Sequence, residues 1–243
     1  MGRRDRRYRR HSRESAARRV TFSLLGRCAE TGMVGCVVSS SSQAVGARCL
    51  FVRAGVGAAA SQNITDPRLG PRLLDLLTGG SSPREAIDRL TAEEPNIEYR
   101  QLAAVDMHGR TAAFSGANTL GRHAVAEGDS AVAAGNLLAD SGVVEAMVEA
   151  FEGSAGEHLG DRLVAALAAG LVAGGEEGPV RAAGLLLADE VTWPVADLRV
   201  DWNDDPIGEL TALWRLWKPE MSTYVTRALE PCTAPSFGVP GDR

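Results

Sequence analysis

Lysine is nearly absent from this chain: Lys218 is the only one, so 25 of the 26 basic residues are arginine. No lysine before residue 218 can therefore serve as a general base or as a Schiff-base amine. Histidine is also scarce, and its four positions are scattered along the sequence, which disfavours a zinc site. They are His11, His108, His123 and His158. The sequence predicts no metal and no other cofactor.

Familiar catalytic and nucleotide-binding motifs are missing as well. The chain contains no G-x-x-x-x-G-K-S/T, no G-x-S-x-G and no H-E-x-x-H, which argues against a P-loop, a serine-hydrolase elbow and a zinc protease. Gly55-Val56-Gly57 resembles part of a dinucleotide fingerprint, but a strand-like run follows it where a Rossmann site needs a helix.

Aromatic residues make up only 5% of the chain, whereas 44% of the residues are hydrophobic and 23% are charged. These fractions are ordinary for a soluble globular protein. A core with few aromatics has to be built from aliphatic and small side chains, which suits closely packed layers. The 243 residues are enough for one large domain or two small ones.

The formal net charge of −5 is unevenly distributed. Residues 1–19 contain nine arginines against Asp5 and Glu14, which leaves 17 basic and 29 acidic residues for the rest of the chain. The acidic remainder argues against nucleic acid as a partner of the globular part. Residues 1–20 are predicted to form a disordered arginine-rich extension. This extension is either a nucleic-acid-binding arm or a segment missing from the mature protein.

None of the four cysteines belongs to a C-x-x-C pair, and three of them lie in apolar, strand-like runs. Free thiols in a reducing compartment are therefore favoured over disulfides. The longest uncharged apolar run, at 163–175, is too short to span a bilayer, so no membrane association is predicted. These features together predict a cytoplasmic protein.

Short strand-like runs follow the arginine-rich extension. They lie at 21–26, 34–40, 44–51 and 55–61, and they are rich in β-branched and small residues. Further strands are predicted at 99–106 and 110–115, near 131–135, and in a last hairpin at 182–188 and 195–202. Consecutive strands with short connections predict antiparallel pairing.

Helices are predicted between these groups of strands, at 67–77, after Ser82, at 143–151, at 159–172 and from Asp205-Pro206 to Trp217. The start at Ser82 has the clearest signal, because Pro83 occupies the first helical position and Glu85 completes an S-x-x-E capping box. Strands in runs and helices mostly in pairs predict an α+β fold of stacked antiparallel sheets covered by helices.

Thr21 follows the arginine-rich extension and opens the first strand. A threonine hydroxyl is a poor nucleophile unless a base takes its proton. When threonine is the first residue of a chain, its own α-amino group, with a pKa of about 8, can be that base directly or through one water. This mechanism needs neither histidine nor lysine, although most threonines that open a strand are structural.

Ordered segments across residues 20–217 resemble a bacterial family of unknown function with an N-terminal-nucleophile (Ntn) hydrolase-like fold. Val20-Thr21-Phe22-Ser23 is similar to the M-T-F-S opening of that family. The resemblance continues through AVGARC at 44–49, VRAGVGA at 52–58, SQNITDPRLG at 61–70, YRQL at 99–102, GN at 135–136, AGG at 173–175 and DLRVD at 197–201. On these segments the chain is identified as a member of domain-of-unknown-function family 1028.

The resemblance implies a four-layer αββα sandwich, in which two antiparallel sheets lie between helical layers. It places Thr21 at the position of the N-terminal nucleophile and matches the family's polar positions to expected substrate-binding residues. These are Gln62, Asn63, Arg100, Gln101, Asn136 and the acidic Glu176. Such side chains could line a pocket and donate to an oxyanion. They could equally satisfy backbone groups at turns, and Arg100 could be a structural ion-pair partner.

One segment departs from the family pattern. After 173–175 the family has an acidic residue and a polar G-Q-x-S-A stretch, whereas this chain keeps acids at Glu176 and Glu177 but has Val180, Arg181 and Ala182 at the polar positions. If that stretch contributes to the pocket, either the specificity is altered or the activity has been lost.

The favoured function is an amidohydrolase that acts on a small amide-like molecule. In it Thr21 attacks the carbonyl, its own amine is the base and backbone N–H groups hold the oxyanion. The alternative is a catalytically degenerate protein of the same fold that binds a small ligand or a partner; a nucleic-acid-binding protein acting through the basic arm is least favoured. Because Ntn folds often self-associate, a homo-oligomer is compatible with the resemblance.

With residues 1–20 attached, the nitrogen of Thr21 is an amide and cannot accept a proton. Three explanations would each resolve this conflict: autoproteolysis between Val20 and Thr21, a real arm on an inactive protein, or translation that starts at Val20. The third is favoured, because the valine codon GTG is also a bacterial start codon and methionine is readily removed before threonine. The sequence thus predicts a domain at 21–217, an extension at 1–20 absent from the mature protein, and a loosely ordered, proline-rich tail at 218–243.

Overall fold

The structure is a computed structural model that describes residues 21–239. The interpretations of residues 1–20, their disorder and their absence from the mature protein, lie outside the described residues. Within the described part, the chain is α+β and contains ten strands in two antiparallel sheets together with seven α-helices. The predicted α+β class and the predicted antiparallel pairing are confirmed.

The strands and helices follow one another along the chain in mixed groups. The strands are β1 (Thr21–Arg27), β2 (Val34–Ser40), β3 (Leu50–Arg53), β4 (Gly57–Asn63), β5 (Arg100–Asp106), β6 (Thr111–Ser115), β7 (Ala124–Gly128), β8 (Ala131–Asn136), β9 (Ala182–Ala188) and β10 (Ala196–Val200). The helices are α1 (Gly46–Cys49), α2 (Leu69–Thr78), α3 (Pro83–Glu93), α4 (Gly142–Gly153), α5 (Leu159–Val172), α6 (Pro206–Trp217) and α7 (Met221–Leu229), and a 3₁₀ turn spans Ile97–Tyr99.

The first sheet has six strands in the order β10-β9-β2-β1-β8-β7, and the second has four in the order β3-β4-β5-β6. β1 therefore lies in the interior of the first sheet, paired with β2 on one side and β8 on the other. In this register Thr21 is opposite both Ser40 of β2 and Asn136 of β8. Thr21 opens the first strand, as predicted, and the structure shows that this strand is held between two neighbouring strands.

Small and aliphatic side chains fill the space between the two sheets. Leu25 of β1 and Val38 of β2 pack there against Ala58 and Ala60 of β4. Alternate residues of a strand point to opposite faces, so Phe22 of β1 faces away from this space. The alanines allow the sheets to approach closely, which is consistent with a sequence that contains few aromatics.

Helices pack on the face of each sheet that points away from the other sheet. Phe22 belongs to a cluster that includes Met147 of α4 and Leu163 of α5, and Leu102 of β5 belongs to one with residues of α2 and α3. Gly26 allows α4 to pack closely on β1, because a Cβ atom there would lie 2.5 Å from Cζ of Phe151.

The predicted strand at 44–51 is wrong. The chain forms the short helix α1 there, in which the Cys49 amide donates to the Val45 carbonyl, and β3 begins only at Leu50. Ala44 has a φ of 51°, which no extended strand accommodates. The apolar composition of this stretch is compatible with either structure, so it could not distinguish them.

Two elements, β7 and α7, were not predicted from the sequence. β7 is one of the two edge strands of the first sheet and has no alternation of buried and exposed residues. α7 lies within the 218–243 tail and follows α6 closely. Trp217 at the end of α6 stacks on Tyr224 of α7, with 4.9 Å between the ring centroids.

The capping box at the start of α3 is confirmed. The Ser82 hydroxyl accepts a hydrogen bond from the Glu85 amide, and the Glu85 carboxylate accepts one from the Ser82 amide at 2.8 Å. Pro83 occupies the first turn, where its missing N–H has no intrahelical partner to lose.

Replacing Ser82 by alanine should lower the free energy of unfolding by about 1 kcal/mol, because the Glu85 amide loses its acceptor. Urea denaturation of Ser82→Ala beside the parent protein measures the change. Ser81→Ala, one residue earlier and outside the capping box, is the matched control and should remain within about 0.5 kcal/mol of the parent. Equal midpoints for Ser82→Ala and the parent would contradict the cap.

Candidate functional site

Thr21 begins the interior strand β1 and is almost completely buried, with 6% of its surface exposed. Its hydroxyl oxygen Oγ1 lies 3.2 Å from Oγ of Ser40 on β2, the residue directly opposite. Oγ of Ser40 also accepts a hydrogen bond from the Ser42 amide at 3.0 Å. The β2 partner of Thr21 is therefore a second hydroxyl, which is anchored by the turn that follows β2.

The side chains between the sheets change from apolar to polar at the end where Thr21 lies. Leu25 is followed on the same face of β1 by Ser23 and Thr21, since side chains alternate along a strand. The same change occurs on the facing side of four other strands. It runs from Val38 to Ser40 on β2, from Ala60 to Gln62 on β4, from Ala103 to Gln101 on β5 and from Ala134 to Asn136 on β8. The sandwiched space thus has a polar end at the start of β1.

Gln62 joins the two sheets at this polar end. Its Oε1 accepts a hydrogen bond of 2.7 Å from the Ser23 hydroxyl. Its Nε2 donates to the backbone carbonyl of Ala134 on β8 at 3.1 Å and to Oε1 of Gln101 at 2.9 Å. All of the polar atoms of this buried side chain are therefore satisfied, as a buried amide requires.

Gln101, which neighbours Gln62 across the β4–β5 pair, extends the network toward Asn136. Its Nε2 donates to the Gly135 carbonyl and to the Ser115 hydroxyl, both at 3.0 Å. Its Oε1 accepts from Gln62 and also from Nδ2 of Asn136 at 3.1 Å. The Oδ1 atom of Asn136 is buried and has no hydrogen-bond partner.

Glu176 lies across the end of β1. Leu138, two residues beyond Asn136, pairs with Glu176, and the Glu177 amide donates to the Leu137 carbonyl. Oε2 of Glu176 accepts a hydrogen bond of 3.2 Å from the Ser41 amide, just beyond the end of β2. Because β1 lies between β2 and β8, a residue that contacts the continuations of both strands lies at the end of β1 where Thr21 begins.

The carboxyl group of Glu176 is buried, and its Oε1 atom has no hydrogen-bond partner. Burial raises the pKa of this carboxyl from 4.5 to about 8, although hydrogen bonds from the Ser41 amide and hydroxyl act in the opposite direction. In the full chain, where the Thr21 nitrogen is an uncharged amide, the carboxyl is therefore mostly neutral at pH 7. A free ammonium group at Thr21 would favour the ionised carboxylate instead.

The segment that departs from the family pattern borders this site. Ala182 is opposite Ser40 in the pairing of β2 with β9, and its carbonyl accepts from the Ser39 hydroxyl at 3.1 Å. Val180 is buried in the hydrophobic cluster under the helices. Arg181 forms an ion pair with Asp204 and lies over the ring of Trp202. Its charge is therefore directed toward the segment that precedes α6.

Asn63 and Arg100 are not brought together with Thr21, because they point to the opposite face of the second sheet from Gln62 and Gln101. Asn63 has a φ of 70°, and its side chain bonds the backbone of Tyr99 and Leu120. A guanidinium nitrogen of Arg100 donates to the Ile64 carbonyl, and another lies 4.0 Å from Asp66. Both side chains have the backbone-satisfying or ion-pair roles that were the alternative interpretation.

Several site residues were missed by the sequence analysis: Ser23, Ser40, Ser41 and Ser115. Ser23 was detectable, since it lies two residues from Thr21 and so shares its face of β1. Ser40, Ser41 and Ser115 required the register, because only the pairing of β1 with β2 and of β5 with β6 brings them to this end.

Across residues 21–239, no group of three or more histidine, cysteine or acidic side chains is placed to hold a metal ion. In the same part of the chain, no helix is both long enough and apolar enough to cross a bilayer.

Comparison with known proteins identifies one family. The model of a family of unknown function, DUF1028, matches residues 21–210. A DUF1028 protein from Silicibacter pomeroyi, known from its crystal structure, is 34% identical, with a TM-score of 0.75 over 81% of this chain and 88% of that chain. The ancestral β-subunit Anbu from Yersinia bercovieri is 8% identical, with a TM-score of 0.40 over 90% of this chain and 100% of that chain. No curated protein matches the chain.

Substituting leucine for Gln62 should destabilise the protein by about 2–4 kcal/mol, because the Ser23 hydroxyl and Gln101 Oε1 each lose a buried partner. Gln43→Leu makes the same chemical change at an exposed position and should have little effect. Chemical denaturation of both variants measures the difference. If the two variants are equally stable, Gln62 does not hold the network together.

The raised pKa of Glu176 predicts how stability depends on pH in the full chain. The folded protein retains a proton that the unfolded chain has lost between about pH 4.5 and pH 8, so the free energy of unfolding should fall as the pH rises through this window. Glu176→Gln removes the titrating group and should flatten that decline, whereas Glu177→Gln, at the exposed neighbouring acid, should keep it. Denaturation at several pH values measures how steeply the free energy of unfolding falls with pH in the parent and in the two variants. An equal decline in Glu176→Gln and in the parent would contradict the raised pKa.

Proposed function

Because the chain belongs to the DUF1028 family, whose function is unknown, we propose a function from the chemistry of the site itself. The protein is an Ntn-type amidohydrolase that cleaves a small amide-like molecule, and Thr21 is its nucleophile. The proposal rests on one observation above all. The hydroxyl of Thr21 lies at the first residue of an interior strand, in the polar end of an otherwise apolar space between two sheets.

The packing supports a four-layer αββα sandwich for the proposed domain at 21–217. One hydrophobic cluster lies between the sheets, a second joins the first sheet to α4, α5 and α6, and a third joins the second sheet to α2 and α3. An Ntn hydrolase requires its nucleophile at the start of a strand within such a sandwich, and β1 fulfils this requirement.

The proposed reaction has two halves. Oγ1 of Thr21 attacks the amide carbonyl while the α-amine of Thr21 takes the hydroxyl proton, and backbone N–H groups hold the oxyanion. The C–N bond then breaks, the ammonium returns the proton to the departing amine, and an ester on Thr21 remains. Water hydrolyses this ester by the same proton path and releases the acid. Ser40, 3.2 Å from Oγ1, is placed to relay or orient the hydroxyl proton.

This reaction requires a free amine on Thr21, so the functional chain is proposed to begin there, without the arginine-rich extension. Two observations support this start. The family model matches from residue 21 onward, and Glu176 lies in front of β1, between the continuations of β2 and β8. Translation from Val20 followed by methionine removal is the favoured route, with autoproteolysis as the other route to the same product.

The second candidate is a non-catalytic member of the fold that binds a small ligand or a partner. Ala182 favours it, because an apolar residue stands opposite Ser40 where the family resemblance predicts a polar stretch. For either candidate, the acidic globular part is proposed to act on a small molecule and not on nucleic acid, in the cytoplasm, and as a homo-oligomer if it self-associates as other Ntn folds do.

The catalytic role of Thr21 can be tested with a β-lactone probe, which acylates an activated hydroxyl without a matched substrate. Protein that begins at Thr21 should gain one probe mass, and peptide mapping should place it on Thr21. Thr21→Ser should remain reactive, because it keeps a hydroxyl beside the amine. Thr21→Ala should not react with the probe. Thr31→Ala, whose substitution lies in the turn between β1 and β2, should react like the parent.

The chain that retains residues 1–20 provides the second control, since its Thr21 nitrogen is an amide. It should react at least about a hundredfold more slowly, which is the lower range of the contribution of a positioned base. If the protein that begins at Thr21 is folded and its Thr21 remains unlabelled, the non-catalytic candidate replaces the hydrolase.

A further inference from the structure

Two buried oxygen atoms at the start of β1 have no hydrogen-bond partner: Oδ1 of Asn136 and Oε1 of Glu176. An unmade hydrogen bond at a buried acceptor costs free energy of about 1–3 kcal/mol, so two of them at one place need an explanation. Asn136 is directly opposite Thr21 in the sheet, and Glu176 lies in front of it. Both unpartnered acceptors therefore belong to residues at the end of β1 where Thr21 begins.

The orientation of the Asn136 amide is fixed by backbone groups. The carbonyls of Ala134 and Gly135 can only accept, so Gln62 and Gln101 must each turn their NH₂ group toward them. This leaves Oε1 of Gln101 facing Asn136, which must then present Nδ2 to it at 3.1 Å. The other end of the Asn136 amide, its carbonyl oxygen, is consequently the end left vacant.

The orientation of Glu176 is fixed from the opposite side. The amide and the hydroxyl of Ser41 both bond to its carboxyl group, and the amide bonds to Oε2 at 3.2 Å. The backbone on either side of Glu176 is paired with Leu137 and with Ala139. The side chain is thus held by strand-like pairing at one end and by Ser41 at the other, and Oε1 is left without a donor.

We propose that Oδ1 of Asn136 and Oε1 of Glu176 accept the two N–H groups of the Thr21 α-amine and so aim its lone pair at Oγ1. An uncharged amine has two N–H donors and one lone pair, so two acceptors leave only the lone pair for the hydroxyl proton. The inference rests on the proposed function, because it needs a chain that begins at Thr21. Asn136 and Glu176 are then positioning residues for the base, and neither is an oxyanion donor.

Gln62 and Gln101 have a defined part in this arrangement. The Ala134 and Gly135 carbonyls hold the NH₂ ends of the two glutamines, and Oε1 of Gln101 in turn holds the NH₂ end of Asn136. Oδ1 of Asn136 is therefore left as an acceptor. Their role differs from the substrate binding that the family resemblance implies, since every polar atom they have is used inside the network.

The pKa of the Thr21 amine tests this inference without any substrate. In protein that begins at Thr21 the only other amine is Lys218, so competitive labelling with acetic anhydride at a series of pH values follows two sites. Peptide mass spectrometry then yields the pKa of each, with Lys218 as the internal reference. Glu176→Gln keeps the shape of the side chain, but Ser41 holds its oxygen, so an NH₂ group replaces the vacant acceptor.

The Thr21 amine should have a pKa lower by at least about one unit in Glu176→Gln than in the parent, because the protonated amine loses an acceptor and meets a donor. Glu177→Gln should match the parent. Asn136→Ala, which removes the other acceptor, should also lower the pKa, and it keeps the inference testable if Glu176→Gln does not fold. An unchanged amine pKa in the folded variants would overturn the inference.

The two proposals fail in different ways. If Thr21 reacts with the β-lactone but its pKa is insensitive to both variants, the hydrolase stands and the positioning role is wrong. If both variants shift the pKa but Thr21 of the parent does not react, the amine is held as inferred and the hydrolase is wrong.

Discussion

The hydrogen bonds that Gln62 and Gln101 make to the backbone of β8 are the interaction on which the site depends. They cross from the second sheet to the first at the polar end of the inter-sheet space, where β1 begins. A buried amide is costly unless each of its groups is paired, so these bonds tie the two sheets together at this end. Ser23 and Asn136 are oriented by the same network.

Much of the fold could be predicted from the sequence because its signals are local. The capping box at Ser82 and the apolar runs of β1, β2 and β9 depend on neighbouring residues alone, and the structure contains them where they were expected. The short helix α1 could not be predicted, since an apolar stretch is compatible with either conformation and no residue type at position 44 signals the positive φ of Ala44. β7 was not predicted for a related reason. An edge strand that is only partly buried has no clear alternation of buried and exposed residues.

The candidate site, like the fold, could be predicted from the sequence only in part. Thr21, Gln62, Gln101, Asn136 and Glu176 were all named from the sequence, and the structure brings them to one end of the inter-sheet space. Asn63 and Arg100 were named with them because they are adjacent in sequence to Gln62 and Gln101, yet a strand sends adjacent side chains to opposite faces. The place of Glu176 in front of β1 could not be predicted at all, since it depends on a loop that pairs with Leu138 from 38 residues away along the chain.

Thr21 is proposed to be the first residue of the functional protein, and N-terminal sequencing of the protein purified from its native host tests this proposal. Threonine is expected as the first residue, followed by Phe22 and Ser23, with an intact mass that lacks residues 1–20. A dominant species that yields peptides spanning Arg19 to Thr21 would contradict it, because an amide nitrogen at Thr21 cannot act as the base.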